Sequence, residues 1–169
     1  VSSQLQSIRA ISLKRPLRPI DINLSKWFKQ FFDTPHREFF KVSFDVDPYF
    51  TVNVDEALFE LVIENVLFHC HSLAISDVPI QIISMNNEYG HAIQIQYQGK
   101  SPSKQIIRAL EGANINDSIP QRFVGYQHIC IFVLLHSMNG EYTVTATSNG
   151  GAYLLKFPLN QSVDKEQKN

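Results

Sequence analysis

The stretch from Val54 to about Ser72 constrains the fold most. Leu58, Phe59, Leu61, Val62, Ile63, Val66, Leu67 and Cys70 leave it almost no polar face at helical spacing. A helix apolar on most sides has to be covered on most sides, so this one is expected to be largely buried. Asn53 followed by Glu56 gives it a capping-box-like start. The rest of the chain must supply the cover. Residues 125–137 read as a second apolar helix, ended at Asn139-Gly140 by the left-handed cap that glycine permits. An earlier helix is expected from about Ile22 to Phe32, capped by Asp21, with Leu24, Trp27, Phe28 and Phe31 on one face.

Strand patterns lie between these helices. EFFKVSFDVDP (38–48) alternates Phe40, Val42, Phe44 and Val46 with polar neighbours. PIQIISM (79–85) and AIQIQY (92–97) flank an Asn-Asn-Glu-Tyr-Gly turn, and YTVTA and AYLLKF form a closing hairpin around Ser148-Asn149-Gly150-Gly151. Residues 102–111 read as a short helix and 113–124 as a loop. At the start, Leu5, Ile8 and Ile11 sit at helical spacing until KRPLRP intervenes, where Pro16 and Pro19 break the helix. The expected class is an α/β (α+β) two-layer sandwich, a mixed and mostly antiparallel sheet with helices packed on one face. Three segments follow: 1–18 as the end of an upstream helix and a linker, 19–159 as the domain, and 160–169 (NQSVDKEQKN) as a polar tail.

Composition narrows the chemistry. The 169 residues include only 7 glycines, against an average usage of ~7%. Loops that cradle phosphates with backbone amides need glycine where the ligand approaches, so the count leans against a glycine-loop nucleotide enzyme. A formal net charge of -1 and a pI near 6.6 argue against a general nucleic-acid or anionic-membrane binder. Cys70 and Cys130 lie in apolar runs without CxxC spacing and read as buried free thiols of a reducing compartment. No apolar run reaches the ~18 residues of a membrane span. The chain begins at Val1, without a Met or a signal-peptide pattern, as expected of a piece of a longer protein.

Four local strings, in order, resemble the catalytic ATP-binding domain of sensor histidine kinases, the GHKL or Bergerat fold. VDEALFELVIENVLFHC is similar to the family's N-box helix, with Asp55 followed by Asn65 at the family interval. YQGKSP falls where the family places DxGxG, and GYQHICIFVLLHSMNG where it places GLGLxI and the helix after it. SNGGAYLLKFPL is similar to the closing GxGTxFxxxLP hairpin. The likeness covers about Pro19 to Leu159, and it implies that the opening helix and KRPLRP are the end of a dimerisation domain and its linker.

The resemblance also implies what each box should do, and this sequence departs from it repeatedly. His69 stands where an Asn oxygen helps hold Mg²⁺, a cation that wants oxygen ligands, whereas imidazole suits zinc or copper. Asn65, the other N-box amide, is retained. Tyr97 stands where an Asp accepts the adenine amine. Gly99 and Gly125 survive in the two glycine boxes, but Ser101, with Pro102 behind it, and Gln127 replace the glycines expected next. Each replacement puts a side chain where backbone amides should meet a phosphate. The lid, 113–124, carries Arg122 as its one cation, while phosphoryl-transfer sites depend on charge neutralisation.

Other constellations have plainer readings. His69 and His71, two apart on a helix, point to different faces and do not make a metal pair. His128 and His136 share a face and read as packing. His36-Arg37-Glu38 follows the wrong helix to be the family's phosphoacceptor, and Trp27, Phe28, Phe31, Phe32, Phe39 and Phe40 read as core, with a docking patch as the alternative. No local motif supports Cys-nucleophile or Ser-His-Asp chemistry.

The expectation is a non-catalytic pseudo-ATPase domain of a histidine-kinase-like phosphorelay protein, with no cofactor and no resident metal. The resemblance implies a cytoplasmic domain whose parent is anchored in the bacterial inner membrane and dimerises, with itself or another chain, through upstream helices. It implies as partners a response regulator, a partner sensor kinase or a phosphotransfer domain, a layout similar to enterobacterial phosphotransfer proteins of the Rcs type. No nucleic-acid partner and no membrane insertion of this segment are expected. The alternatives are a divergent but active kinase domain that binds ATP and Mg²⁺, with Asp77 or Glu64 replacing a lost ligand, and an anti-sigma-type kinase of the same fold. The linker-like KRPLRP favours the sensor-kinase layout.

Overall fold

The computed structural model describes residues 16–87, 90–111 and 126–158. The opening helix, the 113–124 loop, Gly125 and the polar tail lie outside the described residues. The elements run β1 (Pro19–Asn23), α1 (Leu24–Phe32), a 3-10 turn (Pro35–Arg37), β2 (Val42–Asp45), β3 (Thr51–Asp55), α2 (Glu56–Leu73) and β4 (Ile80–Asn87). They continue with β5 (Gly90–Gln98), α3 (Lys104–Leu110), α4 (Tyr126–Ser137), β6 (Glu141–Thr147) and β7 (Gly150–Phe157).

Five strands form the main sheet in the order β2-β4-β5-β7-β6, in which β2 pairs parallel with β4 and every other pair is antiparallel. β1 and β3 make a separate antiparallel pair. The expected mixed, mostly antiparallel sheet is what forms. Period-2 alternation sets its faces. Ile82, Ile93, Ile95, Tyr153 and Leu155 are fully buried towards the helices. The opposite face carries Gln81, Gln94 and Gln96, and Gln96 Nε2 donates to Gln81 Oε1 at 2.5 Å.

The helices cover the inner face because α2 has seven buried apolar residues, among them Phe59, Ile63 and Leu67. Its other face is not fully covered: Leu61 and Phe68 are exposed, so α2 is less enclosed than its composition suggests. The aromatic residues of α1 are mainly core, with Trp27 4.6 Å from Phe59 and 4.8 Å from Phe31 between ring centres.

Several expected boundaries shift for identifiable reasons. The first helix begins at Leu24, not Ile22, because residues 19–23 pair with β3. Asp21 therefore faces Asn53, whose Nδ2 donates to Asp21 Oδ1 at 2.8 Å, and the cap is Asn23, whose Oδ1 accepts from Lys26 N–H at 3.0 Å. Likewise Asn53 is a strand residue, and Asp55 caps α2 by accepting from Leu58 N–H at 3.3 Å. β3 has no residue range in the sequence reading, although Val52 and Val54 alternate inward and are buried. The strand expected over 38–48 contracts to four residues, with Phe39 and Phe40 before it turned towards α2. At the end of α4, the left-handed residue is Asn139, with φ 59°, and not Gly140. Gly140 answers a lack of space, since a Cβ there would lie 2.8 Å from Leu135 Cγ and from the Lys156 carbonyl.

Candidate functional site

The box-bearing elements converge where the C-terminal end of β5, the second half of α2 and the start of α4 meet. Tyr97, next to last in β5, points inward because it follows Ile93 and Ile95 at even spacing, and it is 3% exposed. Its hydroxyl donates to the Lys100 carbonyl at 2.8 Å, and burial pushes its pKa up to about 12. The ring is therefore a neutral packing element. Behind it lies Tyr153 of β7, ring centres 6.1 Å apart. Tyr153 is fully buried, and its hydroxyl, near that of Tyr97 without hydrogen-bond geometry, has no partner among the described residues.

His69 and His128 meet in the same region. His69, half-buried on α2, places its Nε2 3.0 Å from Nε2 of His128, while His128 Nδ1 is 2.8 Å from the Tyr142 hydroxyl. His128 is 1% exposed. Burial first, then the neighbouring His69, push its pKa down to about 3, so it is neutral at ordinary pH. A neutral imidazole has one N–H and one lone pair, so both contacts must run in the same direction. Among the described residues, the reverse direction leaves the buried Tyr142 hydroxyl proton without an acceptor. Tyr142 O–H therefore donates to His128 Nδ1, and His128 Nε2–H donates to His69 Nε2. Rings of His128, Tyr142 and Tyr153 stack at 6.0–6.2 Å around this chain of bonds.

The remaining site residues separate into two groups. Gly99 is at φ 151°, and a Cβ there would lie 2.1 Å from the Leu73 carbonyl. Its N–H donates to the Asn149 carbonyl at 2.8 Å, and it bridges to Ala74. Packing of β5 against the end of α2 is sufficient reason for this glycine. Pro102 is buried against Gly151, where an added Cβ would meet its ring at 2.8 Å, while Ser101 is exposed. Asn65 is half-buried, and its Nδ2 donates to the Leu61 carbonyl at 2.7 Å. Gln127 falls in α4 with a side chain outside the described set, as is all of Gly125.

A family-type ATP and Mg²⁺ site needs a carboxylate at Tyr97 and an amide oxygen at His69. The first position holds a ring bonded to the Lys100 carbonyl, and the second an imidazole bonded to another imidazole. The residues present do not fit the group. Neither candidate replacement is placed to help. Glu64 pairs with Arg37, as does Glu60 at 2.5 Å, and Asp77 is largely exposed, 3.5 Å from Lys41. Among the described residues no set of three His, Cys, Asp or Glu side chains is grouped to hold a metal ion; His69 meets His128, and His71 packs against Phe39 and Phe40. Cys70 and Cys130 are both buried, and burial raises the Cys70 thiol. No described helix is long and apolar enough to cross a membrane.

Tyr142 and Tyr153 are the residues that sequence reasoning missed. Their signal was the hairpin alternation, which turns both inward opposite His128.

No protein-family model matches the sequence, and no curated protein matches it. Solved structures do. The histidine kinase AdeS of Acinetobacter baumannii superposes with a TM-score of 0.68 at 10% identity, covering 94% of this chain and 77% of that one. The nucleotide-free catalytic domain of histidine kinase ThkA gives 0.62 at 14% identity, covering 83% and 95%. ThkA in complex with the response regulator protein TrrA gives 0.65 at 14% identity, covering 94% and 48%. At such identities the likeness is one of fold: this chain has the histidine-kinase-like ATPase fold.

Proposed function

We propose that this chain is a pseudo-ATPase domain of a histidine-kinase-like signalling protein, a structural and protein-docking module that has lost nucleotide binding and autophosphorylation. The observation that carries the reading is the joint engagement of Tyr97 and His69. The side chains at the positions where the fold family binds adenine and Mg²⁺ are tied to the Lys100 carbonyl and to His128. Restoring either contact requires breaking a part-buried hydrogen bond, which costs about 1 kcal/mol before any ligand binds. The partner most in keeping with the fold is a response regulator, the kind of protein that ThkA holds in its complex. A partner sensor kinase or a phosphotransfer domain remains within the same proposal, and the structural neighbours lend no support to the Rcs-type assignment.

Titration of the full chain with ATP and Mg²⁺ tests the reading. The expected result is no saturable heat or fluorescence change up to millimolar nucleotide. Micromolar saturable binding that Asn65→Ala abolishes overturns it and establishes the divergent-kinase reading instead.

A further inference from the structure

The outward face of α2 leaves apolar groups exposed beside a line of fixed charge. Leu61 and Phe68 lie seven residues apart, 37% and 46% exposed, so they share one stripe of the helix. Phe39, from the loop before β2, is 48% exposed and stands beside Phe68 at 5.8 Å between ring centres. Its ring is also 4.1 Å from that of Phe40 and 5.4 Å from that of His71, so it is held on several sides. Side chains immobilised in advance lose little freedom when a partner covers them. Apolar residues seven apart on one helix are the pattern against which a second helix packs.

One side of the stripe is acidic, and the acids are held in register. Glu56, Glu60 and Glu64 follow at four-residue steps, about 6 Å apart along the axis. Each is fastened through one oxygen. Trp27 Nε1 donates to Glu56 Oε1 at 3.2 Å, and Arg37 Nη2 donates to Oε1 of both Glu60 and Glu64. Oε2 of each glutamate has no partner among the described residues. Arg37 is itself committed inward, 3.7 Å over the Phe31 ring and bonded to the Phe31 carbonyl, and it offsets only one of the three charges. α2 contains no Lys or Arg, and the other side of the stripe carries the neutral Asn65 and Ser72.

We infer that this face is the docking site for a basic amphipathic helix of a partner protein, with apolar residues at three- and four-residue spacing and Lys or Arg along one side. The apolar stripe supplies the affinity, and the glutamate row selects the charge and fixes the orientation. Cations four residues apart on a helix rise by the same distance of about 6 Å, so a partner lying along α2 pairs with the row in register. From Glu56 to Phe68 the site is about 18 Å long, which asks for roughly 12 residues of partner helix. Ile75, 54% exposed, lies beyond the end of α2 at Leu73 and falls outside it. The inference goes beyond the proposed function by placing a contact surface, and it does not depend on whether the domain binds nucleotide.

Fluorescence anisotropy with the full 169-residue chain tests it, using two labelled peptides of about 14 residues. One is built of Leu, Ala and Lys, with Leu at i, i+3, i+7 and i+10 and Lys along one side. The other replaces each Lys by Glu. The Lys peptide is expected to bind saturably and one to one, and the Glu peptide at least about tenfold more weakly. Leu61→Ser with Phe68→Ser should weaken the Lys peptide by about tenfold or more. Glu60→Gln with Glu64→Gln should weaken it and flatten its salt dependence, while Ile75→Ser should leave it unchanged. The substituted side chains are all at least partly exposed, and unchanged hydrogen exchange in the β5 and β7 amides shows that each variant still folds. Absence of saturable binding by the Lys peptide overturns the inference, as does equal binding of the two peptides. Binding that survives the Leu61/Phe68 pair, or that falls equally in Ile75→Ser, overturns it too. Peptide binding that is lost as the protein is concentrated also overturns it, because the occupant is then a second copy of this chain.

Discussion

The two ends of β5 are built to opposite plans. Around His91, at its start, two clefts of about 420 and 370 Å³ open side by side, one lined by Met85, Glu141 and Lys156, the other by Asp47, Tyr49 and Asn86, with His91 and Pro158 common to both. Around Tyr97, at its end, a cleft of about 130 Å³ lies on the outer face of the sheet, against Gln81, Gln96 and Gln98. Ligand pockets usually measure ~300–1,000 Å³. Among the described residues, the inner face at this end of the sheet is packed with Tyr97, Tyr153, Tyr142, His69 and His128. What the difference teaches is that one strand can be closely packed at one end and open to solvent at the other. Since the filled end is then part of the core, it should respond to substitution as a core does, and the open end should not.

The largest effect is expected at Tyr153. Tyr153→Ala removes a fully buried ring that stacks on both His128 and Tyr142, and should cost about 3–5 kcal/mol in urea unfolding, with an unchanged m value. Tyr153→Phe should instead leave stability within about 1 kcal/mol of the parent, because the buried hydroxyl that it deletes makes no well-formed hydrogen bond among the described residues. A loss below ~1 kcal/mol in Tyr153→Ala would mean that the region is solvated and pocket-like.

Gly99→Ala comes next. Its Cβ would lie 2.1 Å from the Leu73 carbonyl at a φ of 151°, so backbone must move, at a cost of about 2–4 kcal/mol by thermal unfolding. A neutral outcome would return Gly99 to the role of a phosphate-facing glycine kept for a ligand.

These two positions also show what the sequence made legible. Layering was readable because alternation in 79–85, 92–97 and the closing hairpin, and the apolar mass of α2, dictate burial directly. Strand β3 was not, because Thr51–Asp55 is short and its partner β1 carries Pro19 and Asp21, residues that suggest a linker and a helix cap. At the site, the replacement of family residues at 69, 97, 101 and 127 was visible as identity. What fills the space was not. The contacts of His69 with His128 and of His128 with Tyr142 span 59 and 14 positions and arise only when α2, α4 and β6 are assembled. Gly99 adds a constraint that the sequence could not show, since the Leu73 carbonyl leaves no room for a Cβ there.

A third expectation concerns pH. His128 binds its proton near pH 3 when folded and near its ordinary 6.5 when unfolded. Between those values the unfolded chain holds more protons, so stability is full above about pH 6.5 and declines as the pH falls, by at most ~1.4 kcal/mol per unit. Urea unfolding between pH 7 and 5 should therefore show a slope that His128→Gln largely removes, above the range in which most carboxylates titrate. Equal slopes in the two proteins would mean that water reaches the His69–His128 contact, and the contrast between the two ends of β5 would fail at its centre.

The smallest effect belongs to the open end. Met85 pairs with Ala92 on the outer face, is 39% exposed and lines the larger cleft. Truncation there leaves no closed cavity, because solvent already occupies the space into which the side chain projects, so only the partial burial of one flexible side chain is lost. Met85→Ala should fall within about 0.5 kcal/mol of the parent in the same urea experiment. The size of this effect matters less than its ratio to that of Tyr153→Ala. A ratio near one would mean that something outside the described residues covers the clefts around His91, and that both ends of the strand are core. A ratio of five or more is what a sheet with one filled and one open end requires.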